Sequence, residues 1–376
     1  MAIGQVKLTQ ENTASGGISA VERRVLFIGT CGASGAADVL SVLNAQSDLD
    51  VLLGTEDSAL KTNIKATMLN AGEDFTGYVM TLKETGGIYT WDTALEYALE
   101  TPNDIDVEIV ALVDEITEAA TVTAMNAAAV SAYNVYGKLL SLHAAVPGID
   151  ELTQTWAQYL TATKAINNTL VATRVALVPQ VHGNNLGVVI GRLINSDQSI
   201  GDSPMRVRSG SVVGLGEAPV DSGSAPLTMA HLGELATNRF SVPQWYTNFD
   251  GIYWADHPML DAEGGDFQVY ENVRVIDYVS RRVRILMIQK VADRELNATD
   301  SSIAYHQKFF MAPVKSASKS STIRGVTKPG LIKPPAEEDI LITWKSKTEV
   351  EIFLVVTPYE SPKKISARIA LDLTSL

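Results

Sequence analysis

A single cysteine, Cys31, stands in 376 residues, so no disulfide forms within one chain and the fold rests on its core. Histidine is also scarce, with residues 143, 182, 231, 257 and 306 only. They form no H-x-x-x-H pair and have no adjacent cysteine, so no zinc site is recognisable and no metal or cofactor is expected. Long apolar runs are missing. The stretch Val283 to Ile288 is already broken by Arg284, whereas a membrane-crossing helix needs about 18 apolar residues. No membrane insertion is expected. The start, Met1 to Glu11, lacks the basic opening and apolar block of a secretion signal, which fits synthesis in a reducing cytoplasm. There is no G-x-S-x-G elbow, and the one Gly-Lys pair, Gly137-Lys138, is followed by Leu139 where a P-loop requires Ser or Thr.

Positive charge is short overall, and unevenly so. Residues 267–376 hold 17 Lys and Arg against 12 Asp and Glu, while residues 1–266 hold 13 against 31, giving the net charge of −13. Most of such a surface repels nucleic acid, which argues against a DNA- or RNA-binding role. The imbalance serves solubility, or lets the acidic part of one subunit pack on the basic part of another. With 46% hydrophobic and 19% charged residues, the chain has the composition of a soluble globular protein with a sizeable core.

From Arg24 onward strand and helix patterns alternate. Val25 to Ile28 reads as a strand, Ala36 to Leu43 as a helix, Leu60 to Leu69 and Thr90 to Leu99 as helices, and Val107 to Val113 as a strand buried on both faces. Thr117 to His143 and Glu151 to Asn167 are Ala-rich and read as helices split by Pro147-Gly148, and Val171 to Val178 is another buried strand. This order implies a largely parallel sheet. Residues 195–235 lose periodicity and read as a long irregular stretch. An aromatic-rich segment, 238–261, precedes a helix from Phe267 to about Ala292 with Val269, Val273, Ile276, Val279, Val283 and Leu286 at three- and four-residue intervals. Arg274, Arg281 and Arg284, with Arg282 beside them, read as a basic stripe on its other face: a solvated surface, or the counterpart of an acidic partner. Residues 316–335 form a Ser, Lys, Gly and Pro-rich link, followed by a hairpin of Ile340 to Trp344 and Glu349 to Val356.

The chain closes on a two-residue alternation, with Ile365, Ala367, Ile369, Leu371 and Leu373 on one face, held off by Pro358 and Pro362. Such a strand needs a partner, in its own molecule or a neighbour's. Among chemical motifs, Gly29-Thr30-Cys31-Gly32-Ala33-Ser34-Gly35 invites a phosphate-cradle reading, but its spacing fits neither a dinucleotide fingerprint nor a P-loop. It reads first as a tight strand-to-helix turn. Cys31 there could be a thiolate at a helix start, yet no base is placed beside it, and a small buried hydrophobe is the simpler reading. Asp256-His257 reads as polar residues satisfying the turn ahead of Pro258, with no nucleophile to complete an active site.

From Ala230 onward the order of elements resembles the contractile tail sheath proteins of bacteriophages, related to the sheaths of R-type pyocins and type VI secretion systems. The resemblance is carried by Leu232-Gly233-Glu234-Leu235, by Gly251-Ile252-Tyr253-Trp254-Ala255-Asp256-His257-Pro258, by the segment from Tyr270 through Arg274 to Arg281-Arg282, and by Gly191-Arg192-Leu193-Ile194-Asn195 with the loop after it. It covers the second half of the chain; the first half matches only in its α/β order. Ala255 to Pro258 stands where family members often carry Gly-Ala-Arg-Thr, which marks a divergent branch. The resemblance implies a structural, non-enzymatic subunit of a virion tail: homo-hexameric rings stacked helically around an inner tail tube protein, bounded by baseplate and tail terminator proteins, and contracting to drive the tube through an envelope. It implies inter-subunit arms containing Val6 and Leu8 at one end and Ile365, Ala367, Ile369, Leu371 and Leu373 at the other. Arg274, Arg281, Arg282 and Arg284 become candidate contacts to the inner tube.

The expected fold is α/β, mixed with α+β: a central, mostly parallel sheet flanked by helices, with extended N- and C-terminal β arms. Residues 1–20 form the first arm, 21–330 a core of one or two subdomains, and 331–376 the hairpin and terminal strand. The competing expectation is an α/β enzyme that binds a phosphate-bearing ligand at the turn from Gly29 to Gly35.

Overall fold

The computed structural model describes residues 21–167 and 169–371; Val6, Leu8 and Leu373 lie outside them. Its centre is a six-stranded sheet ordered β2-β3-β1-β4-β5-β6, made of β1 (Val25–Thr30), β2 (Leu40–Asn44), β3 (Thr76–Leu82), β4 (Ile109–Leu112), β5 (Ser141–Val146) and β6 (Val175–Pro179). All neighbours run parallel except the edge strand β2, which is antiparallel to β3. The two-residue period divides the strands between two cores. Leu26, Ile28, Val110, Leu112, Leu142, Ala144, Val175 and Leu177 face one hydrophobic cluster, while Val25, Phe27, Ile109, Ala111, Ala145, Ala176 and Val178 face the other.

Helices cover both faces, as parallel strands require. Helices α3 (Trp91–Leu99), α4 (Ala119–Tyr136), α5 (Trp156–Asn167) and α7 (Met229–Thr237) supply the first cluster; α1 (Leu49–Leu53), α2 (Ala59–Ala71) and α6 (Asn185–Ile194) supply the second. Helices α2 and α6 cross closely because Gly187 and Gly191 lack side chains. A Cβ on Gly187 would lie 2.0 Å from the Asn63 carbonyl oxygen, and one on Gly191 2.6 Å from that of Thr67. Asn63 Oδ1 accepts the Gly187 amide at 2.7 Å, so the crossing is also hydrogen-bonded. At the end of α6, Arg192 donates to the carbonyls of Pro204, Arg206 and Gly210 and pins the irregular stretch that follows.

Two sequence expectations are corrected. Residues 36–43 are no helix; their second half enters β2. The Ala-rich run from Thr117 to His143 is not one helix either: α4 stops at Gly137, whose φ of 69° suits the left-handed cap, and Ser141 onward joins the sheet as β5. Small residues favour helix locally, but Ala144 and Ala145 are buried, one toward each core, and that burial overrides propensity.

Beyond the sheet, β7 (Pro243–Tyr246) and β8 (Phe249–Trp254) form a hairpin. Helix α8 (Tyr270–Gln289) is followed by α9 (Asp300–Ala317), a short hairpin of β9 (Ser321–Ile323) and β10 (Val326–Lys328), and the hairpin β11 (Ile340–Ser346) with β12 (Glu349–Leu354). A third hydrophobic cluster joins Val275, Val279 and Val283 of α8 to Phe310 and Val314 of α9 and Ile340 and Ile342 of β11. Among the described residues no helix is long and apolar enough to cross a membrane.

Candidate functional site: the α8 anchor and the terminal arm

The four arginines of α8 do not form one surface stripe. Arg274 is 2% exposed. Its Nε and Nη2 grip both oxygens of Glu108 at 2.8 Å each, and its Nη1 donates to the Leu193 carbonyl at 2.9 Å. Burial alone would raise the Glu108 carboxyl; the Arg274 guanidinium more than offsets it, and the group is held below the usual carboxylate range. Arg281 keeps its three guanidinium nitrogens inside, with no hydrogen-bond partner among the described residues. Arg282 pairs with Glu22 at 2.8 Å and lies over the Tyr278 ring at 3.3 Å. Arg284 alone of the four is exposed, its guanidinium beside Gly137 at the end of α4. The stripe reading failed because the first two and a half turns of α8 are buried nearly all round: Asp277, too, is inside, paired with Arg174 at 2.5 Å.

A buried polar chain runs beside this anchor. Trp254 Nε1 donates to Ser241 Oγ at 2.8 Å, and Ser241 Oγ meets His257 Nδ1 at 2.6 Å. His257 Nε2 meets His143 Nδ1 at 2.7 Å, and His143 Nε2 meets Ser141 Oγ at 2.8 Å, which reaches the Tyr270 hydroxyl at 3.2 Å. The reading of Asp256-His257 as turn residues is half right. Asp256 Oδ1 does accept the His257 amide at 2.9 Å, but the imidazole is a core group. Nothing in the spacing of residues 143 and 257 announces the pair. Burial pushes the His257 pKa down to about 3 and that of His143 well below its ordinary value. The unfolded chain therefore takes up protons below about pH 6.5 that the folded chain refuses, so stability is full above that pH and falls with acid. His257→Gln should reduce the slope of unfolding free energy between pH 6 and 4 by about 1.4 kcal/mol per unit. Urea unfolding at stepped pH measures it, and an unchanged slope would remove the assignment.

The loop from Gly29 to Gly35 is corrected as well. It leads into β2, so it offers no helix N-terminus, and its donors are already used. Thr30 donates its amide and hydroxyl to the Asp114 carboxylate at 2.9 Å each, and Ser34 its amide and hydroxyl to Glu56 at 3.1 and 2.6 Å. The amides of Cys31, Gly32 and Gly35 bond to the carbonyls of Leu82, Leu53 and Gly32. Two carboxylates stand where a phosphate would have to go. The half-buried Cys31 thiol is raised, first by burial and then by Asp38 and Asp114, so no thiolate is favoured. Among the described residues no group of three or more His, Cys, Asp or Glu could hold a metal ion.

The terminal segment is the opposite of the anchor. Residues 364–371 join no strand within the described residues, and Ile365, Ile369 and Leu371 are 86%, 96% and 83% exposed. Before them the chain is tied down: Lys333 donates its amide to the Thr357 carbonyl at 2.8 Å, Lys333 pairs with Glu360, and Lys363 Nζ lies 2.6 Å from both Asp256 oxygens and 2.9 Å from Glu271.

The architecture is a helix-covered, mostly parallel sheet followed by an exposed, alternating apolar terminal segment. Residues 3–258 match the N-terminal domain and residues 266–374 the C-terminal domain of the family described as DUF2586. The chain is 39% identical over 379 residues to the protein named "Putative tail sheath protein" of Haemophilus phage HP1 (strain HP1c1), with 99% of this chain and 98% of that one covered. The fold is shared with the sheath complex of an extracellular contractile injection system, PVC, in its contracted state, at a TM-score of 0.61 and 16% identity over 99% of both chains. It is shared also with the sheath tail protein of Desulfitobacterium hafniense, at a TM-score of 0.56 and 12% identity over 98% of this chain and 100% of that one. The chain belongs to the DUF2586 family and, with its phage relative, to the tail sheath proteins. As such it is a structural component of a virion tail.

Proposed function

We propose that this sheath subunit assembles with copies of itself into hexameric rings stacked helically around an inner tail tube, and that its two terminal arms pair with strands of adjacent subunits. Baseplate and tail terminator proteins bound the stack. The observation that carries this reading is the alternation of Ile365, Ala367, Ile369 and Leu371, which joins no strand among the described residues and whose backbone groups and apolar face both call for a neighbouring sheet. Contraction then requires no nucleotide: subunits held in one arrangement move to another that buries more contact, while the arms keep the lattice connected. Of the four arginines first considered for the inner tube, Arg284 is the one presented to solvent, and we assign the tube contact to it.

Electron microscopy of the purified chain tests the reading. Open-ended tubes with sixfold end views are expected, whereas a closed small oligomer at every concentration would overturn it. Arg284→Glu is expected to leave those tubes intact but to weaken co-sedimentation with the inner tube protein; unchanged co-sedimentation would remove the Arg284 assignment alone.

A further inference from the structure

Both arm roots are fastened to the same helix by ion pairs of opposite polarity. At the N-terminal root, Glu22 accepts from Arg282 of α8 at 2.8 Å. The next residue donates its amide to Glu108, the partner of Arg274, at 2.8 Å, and Arg23 Nη2 donates to the Gln198 carbonyl at 2.7 Å. At the C-terminal root, Lys363 is clamped between Glu271, in the first turn of α8, and Asp256, just after β8. Burial alone would lower the Lys363 pKa; the two carboxylates reverse that, and the ammonium is held charged. Glu271 and Arg282 stand eleven residues apart, about 16 Å along the helix axis. Between them Arg274 and Asp277 fix α8 to Glu108 and Arg174.

We infer that α8 is the common anchor of the two arms, with Lys363 and Glu22 as the positioning residues that hold each root at its exit from the body. The inference rests on the proposal that the arms engage neighbours. A strand paired in an adjacent subunit is pulled along its chain when subunits move. An unlatched root would answer by peeling residues 357–363 from the body, starting with the ties to Lys333. A latched root passes the pull into α8, and α8 passes it to the other arm. The moving part of the C-terminal arm then begins at Lys364, and the prolines at 358 and 362 belong to the fixed part.

Amide hydrogen exchange on the soluble full-length chain reads the latch directly. In Lys363→Gln, exchange of the Lys333 amide, which donates to the Thr357 carbonyl, is expected to rise about tenfold while the sheet and α8 keep wild-type protection, and Lys363→Arg is expected to restore it. In assembly, Lys363→Gln tubes should fragment under shear that leaves wild-type tubes whole. Arg282→Glu should fragment likewise, and the charge swap Glu22→Arg with Arg282→Glu should recover intact tubes. Unchanged exchange in Lys363→Gln, or wild-type shear resistance despite faster exchange, would overturn the anchor. If the wild-type chain forms no tubes at all, the proposed function falls, and the exchange result still decides whether Lys363 holds the root.

Discussion

A chain ending at Lys364 forms no tubes, yet its body unfolds within about 2 °C of the full-length chain. The second half of that expectation follows from what residues 365–371 contribute among the described residues of their own molecule, which is no ladder and almost no burial. Removing an exposed segment without partners costs a fold little. The first half follows from what the segment offers elsewhere. Burying Ile365, Ile369 and Leu371 in a neighbouring sheet is worth on the order of 5 kcal/mol per subunit, repeated at every lattice position. The two-residue period also makes the register strict, since a slip of one residue would turn the apolar face outward. Keeping Lys363 in the truncated chain preserves its pairs with Asp256 and Glu271, so the body keeps its ties up to the cut. Sedimentation with electron microscopy reads assembly, and differential scanning fluorimetry reads the fold. Tubes of normal length from the truncated chain would refute strand donation.

The largest effect on stability is expected at Glu108 and Arg274. Glu108→Ala or Arg274→Met should each cost about 3–5 kcal/mol in urea unfolding, because either leaves a fully buried charge without its partner. The double variant Glu108→Leu with Arg274→Met should lose markedly less than the two single losses together, since it removes both charges. The pair closes a gap of 166 residues, joining the start of β4 to the first turns of α8, so its loss loosens the sheet from the helix that holds both arm roots. Single variants within about 1 kcal/mol of wild type would show that the pair is not structural.

Half of the sheet was readable from sequence for a simple reason. The segments that became β1, β4 and β6 are apolar on both faces, the mark of parallel strands between helical layers. The turn of α8 was readable from its valines, and the terminal hairpin from its alternation. Strand β5 was not, because its Ser-Leu-His-Ala-Ala-Val reads as the tail of an Ala-rich helix until the two cores are known. The same holds for α9, which carries Pro313 inside it, a residue that argues against helix on sequence alone. The site divides likewise. The exposed alternation from Ile365 to Leu371 was visible because it is local. The partners of the arginines were not, since Glu22, Glu108 and Asp277 reach theirs across the fold, and a helix with charge on several faces looks solvated until those partners are placed.

The central claim, a sheath subunit whose terminal strand completes a neighbour's sheet, is tested most directly by a cryo-electron-microscopy map of the assembled tube in which residues 364–371 can be traced. Ile365 to Leu371 are expected to leave the subunit after Lys363, still held by Asp256 and Glu271, and to run as a strand hydrogen-bonded within an adjacent subunit. A segment folded back onto β11 or β12 of its own chain would contradict it.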